Sequence, residues 1–144
     1  MVREGKGKSH PSGISSMLFY LATIITHDIF HTNSVDNTKL DSTSYLDLGP
    51  LYGHNEEQQK SVRTFKNGLL KKDTFAESRL LGQPPGVSAL IIAFNRFHNW
   101  VVGEIAAINE GGRFGLPAGI TPESPGYEQA LLKVDNDLFQ TGRL

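Results

Sequence analysis

The sequence predicts a mainly α-helical fold. Three observations carry that expectation: an apolar stretch free of Gly and Pro at 16–31, a second stretch at 87–109 where apolar residues return every three or four positions, and no internal repeat or strand-rich region. The chain has 144 residues, 38% of them hydrophobic, with 15 Gly and 7 Pro, which is the composition of an ordinary globular chain, and this length predicts one domain.

Residues 1–13 are rich in Gly, Lys and Ser and contain Pro11, so they read as a tail or linker, and order is expected from Ile14. The string SMLFYLATIITHDIFH (16–31) is long enough that helix prevails over strand despite the β-branched Thr23-Ile24-Ile25-Thr26, and it reads as a buried helix. Thr32 to Ser44 is dense in Asn, Asp, Ser and Thr, hence a loop, feeding a short extended run Tyr45–Leu48 before Gly49-Pro50. Asn55 can cap a helix that opens with Glu56 and Glu57, acids at the positive end of the helix dipole, and Gly68 is placed to end it; the expected span is 56–67. Pro84-Pro85-Gly86 breaks the chain before the longest helix, 87–109, stopped by Gly111-Gly112. A Gly- and Pro-rich loop leads to a last amphipathic helix, 127–144, with Leu131, Val134, Leu138 and Phe139 on its apolar side.

Several function classes drop out on composition. The absence of Cys removes disulfides, thiol nucleophiles, thiolate zinc sites, iron–sulfur clusters and thiolate-ligated heme. A formal net charge of −1 and no long basic face argue against nucleic acid as a partner; the basic residues Arg3, Lys6 and Lys8 are too few to change that. The most apolar run, Ile14 to Ile25, is too short and too polar to span a bilayer, and the order of its flanks is wrong for a signal peptide. The expectation is a protein of the cytoplasm, or one held peripherally at a membrane.

Few residues offer chemistry. His27 and His31 stand four apart, a spacing that can present two imidazoles to one metal, but Asp28, Ile29 and Phe30 between them lack the glutamate base of a zinc hydrolase. Two helix histidines, one buried and hydrogen-bonded, is the reading that the pair by itself favours. Asp28, Thr43, Tyr45 and Asp47 supply hard oxygen donors suited to calcium, against the plainer reading of a solvated Asp/Thr loop. Arg96, His98 and Asn99 lie within an apolar helix, where polar groups commonly form a structural network. A heme held between His27 and His98 is a further arrangement the histidines permit.

Three segments taken in order resemble the heme peroxidase superfamily that includes cyclooxygenases and myeloperoxidase, and within it the fungal fatty-acid branch of linoleate diol synthases and psi-factor-producing oxygenases. They are GISSMLFYLATIITHDIFHTN (13–33), SYLDLGPLYGHNEEQQKSVRTFKNGLLK (44–71) and PPGVSALIIAFNRFHNWV (84–101), with DNDLFQTGRL (135–144) as a fourth. The resemblance implies a partial animal-heme-peroxidase-like helical domain over 14–144, a heme b cofactor in the complete domain, and an unsaturated C18 fatty acid such as linoleate as substrate, oxygenated after hydrogen abstraction. It implies that His27 is the distal heme histidine, handling protons when a peroxide is cleaved, a task that suits imidazole. It likewise implies a structural Ca2+ held by Asp28, Thr43, the Tyr45 carbonyl and Asp47.

The chain departs from the pattern at Gly49, where animal peroxidases carry a serine calcium ligand, and at Thr23, where they carry a glutamine beside the distal face. In the family a Tyr-x-Trp-His motif follows the fourth segment and supplies the proximal histidine and the radical tyrosine; the 144 residues hold no such motif, and Asn95 rather than Tyr precedes His98 by three. The expectation is therefore a catalytic domain truncated before its proximal ligand and inactive alone. The alternative is a non-catalytic helical module that binds calcium or a partner, and self-association into a homo-oligomer stays open.

Overall fold

The computed structural model describes residues 9–43 and 45–143; residues 1–8 of the expected tail, Ser44, and Leu144 at the end of the expected last helix lie outside the described residues. Among the described residues there are five α-helices and two 3-10 segments, and pairing of the strand type is limited to two isolated bridges, Thr32 with Leu40 and Arg63 with Leu70. The mainly α expectation is borne out.

Helix α1 spans Ser16–Ile29, opened by the Ser15 hydroxyl, which accepts from the Met17 N–H at 3.2 Å. It stops two residues before the expected end, because Phe30 turns extended and donates back to the Thr26 carbonyl. The expectation of a buried helix needs correction: only Ile24 and Asp28 are buried, while Met17, Leu18, Phe19, Leu21 and Ile25 are exposed. Its inner stripe alone has neighbours, namely helix α4 (Pro85–Ile108) and the short helix α2 (Gly49–Tyr52).

Gly49-Pro50 does not end a run but starts α2, with Leu48 in the left-handed region before it and Pro at a position where its missing N–H costs nothing. All four residues of α2 are buried. Helix α3 (Glu56–Val62) begins as expected, the Asn55 side chain accepting from Gln58 N–H at 2.9 Å, but ends at Val62 and not at 67. The cause is tertiary: Arg63 leaves the helix to meet Asp135, and the chain reverses through Phe65, Asn67 and Gly68, all at positive φ.

Helix α4 is the spine. Pro85 occupies its first turn, and its C-terminus is closed by Asn109 in the left-handed conformation, ahead of the expected glycines. A side chain at Gly86 would run into the Tyr20 ring, so glycine lets α1 approach this first turn closely. The buried positions are Val87, Ile91, Asn95, His98 and Val102, one stripe at three- and four-residue steps. Phe97 and Ile108, apolar residues of the same helix, are exposed. Helix α5 (Tyr127–Gly142) buries Asp135, Leu138 and Phe139 against α4. The core joins Ile24, Leu51, Tyr52, Val62, Leu70, Leu80, Val87, Ile91 and Phe139.

Polar groups on α4 hold the irregular segment 68–74. Asn99 accepts from the Leu70 N–H at 2.8 Å and donates to its carbonyl at 3.0 Å; Asn95 donates to the carbonyls of Lys71 and Thr74 at 3.0 and 2.9 Å. Arg96 meets Asp73 with two parallel bonds of 2.7 and 2.9 Å. On the other side, Asp135 accepts from Gly68 N–H and from Arg63, both at 2.6 Å. Gly68 has φ +72°, and an added Cβ would lie 2.6 Å from the Phe139 nitrogen, so only glycine allows this approach.

Arg63 and Asp135 are both buried, and removing one leaves the other charge uncompensated in the core. Replacing Arg63 by Ala is expected to lower stability by about 3–5 kcal/mol, read as a shift in the urea midpoint with unchanged slope. A change below about 1 kcal/mol, the range of exposed pairs, would contradict this account.

Candidate functional site

Asp28 faces inward from the last turn of α1, and its carboxylate receives the Leu48 N–H at 3.1 Å on one oxygen and the Gly49 N–H at 2.8 Å on the other. These donors belong to the unsatisfied first turn of α2, so the side chain caps one helix from another. Burial pushes the Asp28 carboxyl above the usual carboxylate range, the two N–H donors work against that, and the nearby Asp47 charge adds to it.

The loop residues expected to join Asp28 do converge. The Thr43 hydroxyl lies 3.1 Å from the Tyr45 carbonyl oxygen and 3.2 Å from Asp47 Oδ1, which gathers three oxygens at one point. Asp47 also sits 3.8 Å from Arg143. Gly49 has no side chain to add, and a Cβ there would strike the His54 ring and lie 2.9 Å from Asp28 Oδ1. The imidazole of His54 fills the space that a serine would need.

His27 lies half-buried on α1 beside the anchored Asp28. Its Nδ1 is 2.8 Å from the Thr23 carbonyl, which can only accept, so Nδ1 carries the proton and Nε2 keeps its lone pair. Nε2 makes no hydrogen bond among the described residues. The Thr23 hydroxyl is turned back onto the Phe19 carbonyl at 2.8 Å and offers no hydrogen to a molecule beside His27.

The structure separates His27 from His31. Because α1 ends at Ile29, His31 leaves the helical face and approaches His54 and Glu77, so the two-histidine metal arrangement at i,i+4 is not formed. A heme between His27 and His98 is also excluded. His98 is buried with both ring nitrogens engaged: Nε2 donates to the Gly68 carbonyl at 3.0 Å, and Nδ1 accepts from the Tyr52 hydroxyl at 3.0 Å. Burial pushes the Tyr52 phenol up to about 12, which keeps it a donor. Arg96, His98 and Asn99 thus serve the structural network expected of polar groups in an apolar helix.

The sequence reading overlooked Glu77, Arg63 and Asp135. Nothing local marks them, since each acts through a residue distant in sequence. No described helix is long and apolar enough to cross a membrane.

Burial also pushes the His98 imidazole below its ordinary range, so the folded chain holds it neutral while the unfolded chain protonates near pH 6.5. This contribution is full above that pH and is lost as pH falls below it, by up to about 1.4 kcal/mol per pH unit. Urea midpoints measured from about pH 7.5 to 5 should fall, and the His98 ring resonances should titrate at lower pH in the folded chain than in the unfolded chain. Titration of His98 in the folded state at or above its unfolded value would refute the assignment.

Residues 38–84 match the family model described as Animal haem peroxidase. The chain is 58% identical over its whole length to a linoleate diol synthase of Gaeumannomyces graminis and 56% identical to psi-producing oxygenase A of Emericella nidulans. Over 95% of its length it is 55% identical to a bifunctional dioxygenase–epoxy alcohol synthase of Pyricularia oryzae. The chain spans only 12–13% of the length of these relatives. No solved structure matches it significantly.

Proposed function

We propose, from the similarity of this chain to the fungal oxygenases of the heme peroxidase superfamily, that it forms the distal-heme segment of a heme-dependent fatty-acid dioxygenase acting on an unsaturated C18 acid such as linoleate. The observation that supports this reading best is the state of His27. Its Nδ1–H is held by the Thr23 carbonyl, its Nε2 is free to take a proton, and the next residue is fixed in the core at Asp28.

The residues present fit the distal side of such a group. In the complete enzyme heme b supplies iron at which a peroxide is bound and cleaved. His27 Nε2 accepts the proton of the entering peroxide and returns it to the departing oxygen, while the bond from Nδ1 to Thr23 holds the ring plane. With Thr23 bonded to its own helix, His27 performs this step without a neighbouring amide. His98 would not ligate such a group, because both its ring nitrogens are taken. The exposed face of Met17, Leu18, Phe19, Leu21 and Ile25 is the surface against which that remainder packs, since an apolar patch of this kind marks an interface.

Asp28, Thr43, the Tyr45 carbonyl and Asp47 hold calcium in this proposal. Three of the oxygens already converge, and a divalent cation would relieve the burial and like-charge repulsion at Asp28. The Asp28 oxygens each keep a second lone pair after accepting from Leu48 and Gly49.

In the full-length protein carrying this segment, His27→Ala is expected to reduce linoleate oxygenation, followed as oxygen uptake, by about 10²–10⁴-fold with heme content unchanged. Retained activity would remove His27 from the distal role. Calcium at a hundredfold excess over its dissociation constant should stabilise the chain by about 2.7 kcal/mol, and Asp47→Ala should abolish that gain; equal stabilisation of both proteins would dismiss the loop as the site.

A further inference from the structure

We propose that His31, His54 and Glu77 form a binding site for a divalent transition ion, zinc being the best match, separate from the calcium loop. The three residues come from different segments: His31 from just beyond α1, His54 from the link between α2 and α3, and Glu77 from the start of the 3-10 helix Ser78–Gly82. One ligand atom from each lies within 4.8 Å of the others. Two imidazoles and one carboxylate are a donor set that zinc accepts, leaving a fourth position for water.

The nitrogens at this point have nothing else to do. His31 Nδ1 and both ring nitrogens of His54 are shielded from solvent and have no hydrogen-bond partner among the described residues. Buried polar atoms are nearly always paired, and an imidazole with both nitrogens unpaired is an unusual loss that coordination would remove. The two rings meet edge to face with centroids 5.4 Å apart, so their lone pairs can converge without stacking interference.

Glu77 is aimed and held. Its side chain is 5% exposed, Oε1 accepts from the Arg79 N–H at 2.9 Å, and Oε2 accepts from the Arg79 guanidinium at 2.7 Å while lying 3.9 Å from His31 Nδ1. Arg79 uses one lone pair of Oε2 and leaves the other facing the histidines. Its guanidinium also reaches the Phe30 carbonyl at 3.4 Å, which fixes the approach of the chain to His31. This is the supporting hydrogen bonding that metal ligands characteristically carry.

His54 is confined by Gly49, since any side chain there would occupy its ring position. A tetrahedral zinc with bonds of about 2.0–2.1 Å spaces its ligand atoms about 3.4 Å apart, so the widest edge of the cluster contracts by at most about 1.4 Å on binding. Such an ion would cross-link three segments that are otherwise joined at this point by Arg79 and Glu77. A loose polar pocket filled by water explains the juxtaposition of rings and carboxylate but predicts no affinity for a metal.

The test uses the 144-residue chain stripped of metal with a chelator and titrated with Zn2+ alone by calorimetry, with Co2+ as a visible-absorption probe of geometry. One ion per chain is expected, with a tetrahedral cobalt spectrum and a raised melting temperature. His54→Ala and the near-isosteric Glu77→Gln should each weaken binding at least tenfold, with the far-UV circular dichroism of the parent; His10→Ala, which alters an exposed histidine, should bind as the parent does. Absence of stoichiometric binding overturns the proposal, as does parent-like affinity in both Glu77→Gln and His54→Ala. Retention of Zn2+ binding in Asp47→Ala is also expected, and its loss would assign the ion to the calcium loop instead.

Discussion

The structure depends on a buried polar chain that passes through Gly68. Tyr52 donates to His98, His98 donates to the Gly68 carbonyl, Gly68 N–H donates to Asp135, and Asp135 pairs with Arg63. Each link joins a different element, so α2, α4, the 63–70 reversal, α5 and the end of α3 are registered against one another by hydrogen bonds whose alternatives are unpaired buried groups. Such groups cost far more when left alone than they contribute when paired. Packing of Leu51, Leu80 and Ile91 supplies the driving force, and this chain decides which arrangement of those side chains is adopted.

Asp28 performs the same service between α1 and α2. By capping the first turn of α2 it draws residues 45–49 onto α1 and leaves His27, one position earlier on the helix, half-buried. The proposed proton-handling imidazole and the proposed calcium carboxylate are thus neighbours in sequence whose side chains leave the helix about 100° apart, one half-buried and one buried. Rigid backbone beneath His27 is what a proton-transfer group requires, because its reach is set by its helix.

The departure at Gly49 gains a physical meaning alongside His54. A serine in that place and the His54 ring cannot coexist, since the ring occupies the volume of the missing Cβ. The ring so placed stands beside His31 and Glu77. Glycine at 49 and the placement of the His54 ring are therefore two aspects of a single packing solution.

Helix positions in α1, α4 and α5 and the start of α3 were legible in the sequence because hydrophobic period, proline at the start of α4 and the Asn55 cap of α3 act within a few residues. So was the proximity of Thr43, Tyr45 and Asp47, which a short loop enforces by itself. The early end of α3, the exposure of the outer face of α1 and the meeting of His31, His54 and Glu77 were not. Arg63 leaves a helix its own propensity would extend because Asp135, 72 residues on, offers a buried countercharge. Apolar residues of α1 read as core, yet burial is a property of neighbours. The sequence by itself determined which segments coil and which side chains are available for chemistry; the tertiary structure alone decided which of them meet, because pairing across the core balances desolvation against contacts that no local window contains.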